Sequence, residues 1–284
     1  MMELKPLLLM LVRVAAWVAV LWLLLRWFEV RSLYAPSRVL DATPAKLGLA
    51  YEDVDFVAED GVRLHGWWIP HPEARGTILY CHGNGLNIAN RIGLCRDLHG
   101  LGVNVFIFDY RGYGRSRGWP TEQGTYRDAR AAYEVVRARH GDAEQPPVIV
   151  YGASLGGTIA AQLALDKPVR GAIFEASFSS VIDVGERLYP WLPVRWFAKH
   201  RYEAYRRVPH ITAPKLFASS RHDQLIPFEL GRKLYEAAAE PKEFFELSGP
   251  HDEAGWNNTP AYWPVLEAFV HRVLSASVEQ PAPR

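Results

Sequence analysis

Apolar positions are unevenly distributed along the chain. From Leu7 to Leu25 they run unbroken except at Arg13, with Trp22 and Trp27 near the far end. A helix of about 20 apolar residues crosses a bilayer core, and an arginine near one end of the span snorkels to the headgroups. Indoles favour the interface. The pattern therefore predicts an uncleaved, single-pass N-terminal membrane anchor over residues 1–31. A secretory signal would have an apolar core of roughly 7–15 residues followed by small residues, whereas Leu23-Leu-Leu-Arg-Trp-Phe-Glu29 follows here. A buried core helix fits less well, because no polar face lines the run. Lys5 and Arg13 precede the span's centre and Arg26, Arg31 and Arg38 follow it, which leaves the side of the membrane undetermined.

Residues 32–48 lack periodicity and carry Pro36 and Pro44, so they are expected to form a linker. The domain is expected over 49–274, with a short tail at 275–284. Tyr51–Ala58 and Val62–Pro70 alternate apolar and polar residues around Asp60-Gly61, a hairpin signal. Short apolar runs follow at Thr77–Cys81, Val103–Tyr110, Val148–Tyr151, Ala172–Glu175, Leu216–Ser219 and Phe244–Leu247. Between them lie stretches of helical length, Ile88–Leu98, Tyr126–Arg139, Leu155–Leu165 and Glu229–Ala238, and Ala261–Val273 closes the series. Buried parallel strands with helical crossovers produce this rhythm. An α/β fold is predicted, with a mostly parallel eight-stranded sheet flanked by helices. A longer insertion at 178–214, rich in Trp, Tyr, Arg and Pro, reads as a helical cap.

The chain has 284 residues, 49% of them hydrophobic and 22% charged, with a formal net charge of +1. That is too apolar for a disordered chain, and the balanced charge gives no electrostatic reason to expect nucleic acid. Cys81 and Cys95 are too few for a disulfide framework or a four-ligand zinc site.

The chemistry concentrates at Val148-Ile-Val-Tyr-Gly152-Ala-Ser154-Leu-Gly156-Gly157, where an apolar strand meets Gly-x-Ser-x-Gly and then a helical stretch. In that context a serine stands on a strained strand-to-helix turn, clear of the sheet. A nucleophilic serine needs a base, and the base needs an orienting acid. Asp223 follows the apolar run that begins at Leu216, and His251 follows the next one, so both are expected at the carboxyl edge of the sheet. The predicted roles are Ser154 as nucleophile, His251 as general base and then acid, and Asp223 as the group that fixes the imidazole tautomer. The oxyanion hole is expected from the backbone N–H of Leu155 and that of Asn84, in Cys81-His82-Gly83-Asn84-Gly85. Glu175 ranks below Asp223 as an acid, His82 reads as a loop brace, and Cys81 as a small buried residue. Asp109, Arg111 and Ser116 lack the Lys-Ser/Thr of a phosphate loop and read as a bracing network.

These motifs resemble those of the α/β-hydrolase superfamily over nearly all of residues 50–274. His82-Gly83-Asn84 looks like its oxyanion turn, Asp109-Tyr-Arg-Gly-Tyr-Gly-Arg-Ser116 like its structural loop, and Gly152-x-Ser154-x-Gly156-Gly157 like its nucleophile elbow. The anchor and Glu175-Ala-Ser-Phe-Ser-Ser180 are most similar to small membrane-anchored serine hydrolases, whose relatives include protein depalmitoylases. The resemblance implies ester or thioester hydrolysis without a cofactor. Ser220 and Pro250 stand where the family usually has Gly.

In the cap, Leu188, Tyr189, Trp191, Leu192, Trp196 and Phe197 are expected to line an apolar site beneath a basic exterior that includes Arg187, Arg195 and Lys199. A cap packed on its own domain would show the same features without a lipid role. The expected partner is a small or lipid-like acyl ester met at the membrane. An aminopeptidase-like amide hydrolase and a catalytically silent interaction module are the alternatives. No metal or nucleotide is implied, and the oligomeric state is left open.

Overall fold

The computed structural model describes residues 4–141, 146–251 and 259–275. Apart from Ser275, the tail expected at 275–284 lies outside the described residues, as do residues 1–3 of the anchor. The first helix, α1, spans Leu4–Leu33, and every side chain from Leu7 to Leu24 is exposed. Short strand β1 (Ala35–Pro36) and a 3-10 turn at Pro44–Leu47 follow. The hairpin is β2 (Glu52–Val57) and β3 (Arg63–Ile69), closed by Gly61 at φ 81°. Next come β4 (Thr77–Cys81), the short β5 (Gly85–Leu86), α2 (Ile92–His99), β6 (Asn104–Asp109) and α3 (Glu122–Arg139). The elbow joins β7 (Val148–Ala153) to α4 (Leu155–Asp166). After β8 (Gly171–Glu175), the insertion carries α5 (Val181–Leu188) and α6 (Val194–Phe197). The chain finishes with β9 (Lys215–Ser220), α7 (Phe228–Ala237), β10 (Lys242–Leu247) and α8 (Tyr262–Ser275).

Among the described residues, eight strands form one sheet in the order β10-β9-β8-β7-β4-β6-β3-β2. β3 is antiparallel to both β2 and β6, and the remaining pairs are parallel. Strand residues alternate between two apolar layers, as period-two geometry requires. Leu79, Phe106, Phe108 and Val150 face the layer of α3, α4 and α7, whereas Ile78, Tyr80, Val105 and Ile149 face that of α2 and α8. Burial on both faces explains why these strands read as unbroken apolar runs.

Three local differences from the sequence pattern have simple causes. The helix expected from Ile88 begins as a 3-10 turn, Ile88–Arg91, whose N-terminus is capped by Asn87 Oδ1 accepting from the Ala89 N–H at 2.9 Å. Helix α3 starts at Glu122 instead of Tyr126, because Thr121 Oγ1 caps the Gly124 N–H at 3.1 Å. The segment at 32–48 is docked and does not behave as a loose linker. Helix α1 runs on to Leu33, Tyr34 is buried with its hydroxyl 2.7 Å from that of Tyr202, and β1 pairs in parallel with β5.

Candidate active site

The strand order changes direction beside β4. Its crossover to β6 runs one way, and the later strands from β7 onward run the other. Carboxyl ends of strands at such a switch point form a crevice. Cys81 is paired with Gly152 there, which brings the 82–85 turn against the elbow.

The elbow is sterically fixed. Ser154 has φ 53° and ψ −121°, a strained conformation for a residue with a side chain. A Cβ on Gly156 would lie 1.9 Å from the Cys81 carbonyl oxygen, and one on Gly152 would lie 2.5 Å from that of Gly156. The glycines are therefore required by the close approach of strand, turn and helix. Ser154 N–H donates to the Glu175 carbonyl at 2.9 Å, which ties the turn to β8.

Ser154, Asp223 and His251 are brought together. His251 Nε2 lies 3.0 Å from Ser154 Oγ, and Nδ1 lies 2.6 Å from Asp223 Oδ2. Asp223 Oδ1 accepts from the N–H groups of Leu225 and Ile226, at 2.9 and 2.7 Å. With one oxygen held by two amides, the carboxylate directs the other at the imidazole. Nδ1 must then carry the proton, leaving the Nε2 lone pair for the serine hydroxyl.

Ser220, one of the two departures from the superfamily pattern, is buried and used. Its hydroxyl donates to the Gly249 carbonyl at 2.7 Å and accepts from the His222 N–H at 3.0 Å. It thus cross-braces the loop bearing Asp223 to the loop bearing His251.

The 82–85 turn is held as firmly. His82 Nδ1 donates to the Gly83 carbonyl at 2.7 Å, while Tyr113 Oη donates to the Asn84 carbonyl at the same distance. A trans peptide is planar, so fixing the Gly83 carbonyl aims the Asn84 N–H the opposite way. Asn84 and Leu155 line the same cavity as Ser154. The Leu155 N–H belongs to the first turn of α4, whose amides have no partner within the helix. Burial pushes the His82 imidazole down to about 3, so it stays neutral.

The other candidates are structural. Arg111 forks onto Asp128 and Asp60, at 2.8 Å to each, which accounts for its charge without a phosphate. Part-buried Glu175 accepts from Tyr151 Oη, whereas Asp223 is the carboxylate that reaches His251. Its pKa is raised by burial, with the Tyr151 and Tyr262 hydroxyls pulling the other way. Cys81 is buried and its thiol is pushed up to about 12.

A cavity of about 250 Å³ opens from Ser154 under the insertion. Val181, Val184 and Leu188 of α5, with Leu192 and Phe197 beyond it, give it an apolar wall. Trp191 and Trp196, expected in that lining, are instead 77% and 87% exposed on the outer face. Sequence reasoning missed Leu225 and Ile226, just after Asp223, and four residues of α1: Phe28, Glu29, Ser32 and Leu33. The one local hint was a carboxylate, Glu29, in the same helix and four residues beyond the apolar run that ends at Leu25.

A family model described as serine aminopeptidase, S33, matches residues 72–203. An uncharacterized protein of Mycobacterium tuberculosis is 36% identical over 226 residues, covering 78% of this chain and 80% of that protein. The alpha/beta hydrolase domain-containing protein WAV2 of Arabidopsis thaliana is 34% identical over 274 residues, covering 86% and 88%. An esterase of Pyrococcus furiosus shares the fold, with a TM-score of 0.72 at 22% identity over 85% of this chain and 100% of that one. The chain belongs to the α/β-hydrolase superfamily. Hydrolysis is the class of reaction these relations support.

Proposed function

We propose that the protein is a membrane-anchored serine hydrolase that cleaves carboxylic esters or acyl thioesters through an acyl-enzyme. The observation that carries this reading is the continuous relay from Asp223 through His251 to Ser154, at 2.6 and 3.0 Å. Ser154 Oγ attacks the acyl carbonyl carbon as its proton passes to His251 Nε2, and the carbonyl oxygen becomes an oxyanion facing the Leu155 and Asn84 N–H groups. The carbon–heteroatom bond then breaks, and the imidazolium returns its proton to the departing alcohol or thiol. Water, deprotonated by His251, attacks the acyl-enzyme, and the acid leaves as Oγ regains the proton. Asp223 orients the imidazole and offsets its positive charge in both halves.

The description of the matching family favours a second reading, an aminopeptidase. Such an enzyme must recognise a substrate ammonium group. Among the described residues lining the cavity the only carboxylate is Glu29, already paired with Arg26 at 2.8 Å. The apolar remainder suits an acyl chain better. Helix α1 is read as an anchor because its last turns are packed into the domain, where cleavage would strip a wall from the cavity.

Labelling of the full chain in detergent with a fluorophosphonate probe tests the reading. Wild type is expected to label, and Ser154→Ala and His251→Ala to lose labelling. A folded wild type that fails to label would return the chain to the silent-module reading.

A further inference from the structure

Helix α1 does more than tether. Phe28, Glu29, Ser32 and Leu33 line the same cavity as Ser154. They are held there by a polar clamp on the cap. Glu29 Oε1 accepts from the Lys199 and His200 N–H groups, both at 2.7 Å, and Arg26 reaches the Phe197 carbonyl. Phe28 meets Tyr189 edge to face at 5.5 Å, and Tyr34 closes the clamp on Tyr202.

Length fixes where this wall sits. The candidate spanning helix Pro6–Leu33 has 28 residues. At 1.5 Å per residue it is about 42 Å long, against about 30 Å for a hydrocarbon core. The turns that line the cavity therefore emerge at headgroup level. On the cap beside them, Trp191 and Trp196 face outward, and Trp27 on α1 is 65% exposed. Indoles in this position suit a bilayer interface.

We propose that the final turns of the anchor helix are a wall of the acyl-binding site, so that a membrane-embedded ester or thioester lifts one acyl chain along α1 to Ser154. This rests on the hydrolase reading above and names its substrate class. At about 250 Å³ the cavity lies just under the range of roughly 300–1,000 Å³ for drug-sized ligands, so it takes one chain and leaves a second in the bilayer.

The test measures labelling rates of Ser154 in the full chain in lipid nanodiscs, using ethyl and dodecyl fluorophosphonates. Ser32→Trp puts an indole into the cavity from the anchor side. It is expected to lower the dodecyl-to-ethyl rate ratio by about tenfold, the dodecyl rate falling far more than the ethyl rate. Phe28→Ala, which removes apolar wall, is expected to lower the ratio several-fold. A ratio unchanged in both variants, or both rates falling together, overturns the proposal while leaving the hydrolase reading intact. Absence of wild-type labelling by either probe overturns the hydrolase reading, and the proposal with it.

Discussion

Replacing Asp109 by Asn isolates the contribution of one buried carboxyl to stability. The Asp109 side chain is fully buried, and Oδ1 accepts from the Ile88 N–H at 3.1 Å. The ring of neutral His82 lies 3.8 Å away, and neither its Nε2 nor Asp109 Oδ2 has a hydrogen-bond partner among the described residues. Burial raises the Asp109 pKa to about 7, with the Ile88 N–H and the charge of Arg38 offsetting part of the rise. An aspartate in the unfolded chain titrates near 3.9. Between those values the native state holds a proton that the unfolded state has released, so stability falls as pH rises through the window. Three units correspond to on the order of 4 kcal/mol, of which about 3 falls between pH 5 and pH 8. Asparagine copies the shape of the protonated acid and keeps an acceptor for Ile88. In urea unfolding of the full chain in detergent, Asp109→Asn should gain on wild type by about 3 kcal/mol between pH 5 and pH 8. A difference between the two proteins that stays constant across that range, or shrinks, would refute the assignment of a shifted carboxyl here.

Other substitutions probe other parts of the site. Gly156→Ala drives a Cβ to 1.9 Å from a backbone oxygen; a cost of about 1–3 kcal/mol or more is expected, and an unchanged thermal midpoint would count against the described elbow. Arg111→Ala leaves the Asp128 carboxylate buried without its partner, and denaturant melts should lose about 3–5 kcal/mol. Ser220→Ala removes the brace to the Gly249 carbonyl; about 1–3 kcal/mol of stability should go with it. On the proposed mechanism kcat for an ester falls while KM holds, and a rise in KM alone would speak against the bracing role.

Much of this architecture was legible because burial leaves a record in composition. Thr77–Cys81 reads as a strand from its apolar run and forms one with the same limits, since both of its faces are covered. Gly152, Gly156 and Gly157 mark the elbow because no side chain fits between strand and helix. Ser154, Asp223 and His251 were locatable because each follows an apolar run, and parallel strands bring their carboxyl ends to one edge. What stayed hidden depends on contacts distant in sequence. Ala35-Pro36 carries no strand signal, and its pairing partner Gly85-Leu86 lies 50 residues further along the chain. Lys215 looks like a loop residue but opens β9, buried, with Nζ donating to the carbonyls of Ile211 and Ala213 at 2.8 Å. The outward turn of Trp191 and Trp196 is equally invisible locally, because an aromatic residue reads the same whether it faces a cavity or a membrane surface.

The clamp between α1 and the cap has a kinetic consequence. A catalytic domain hung on a flexible tether would tumble and sample substrate from the aqueous volume. With Glu29 fixed to Lys199 and His200, the orientation of the domain is set by that of the helix. On the proposed reading, encounter becomes a two-dimensional search, and turnover follows the mole fraction of substrate in the bilayer. Adding inert lipid at constant bulk substrate would then slow the enzyme by surface dilution.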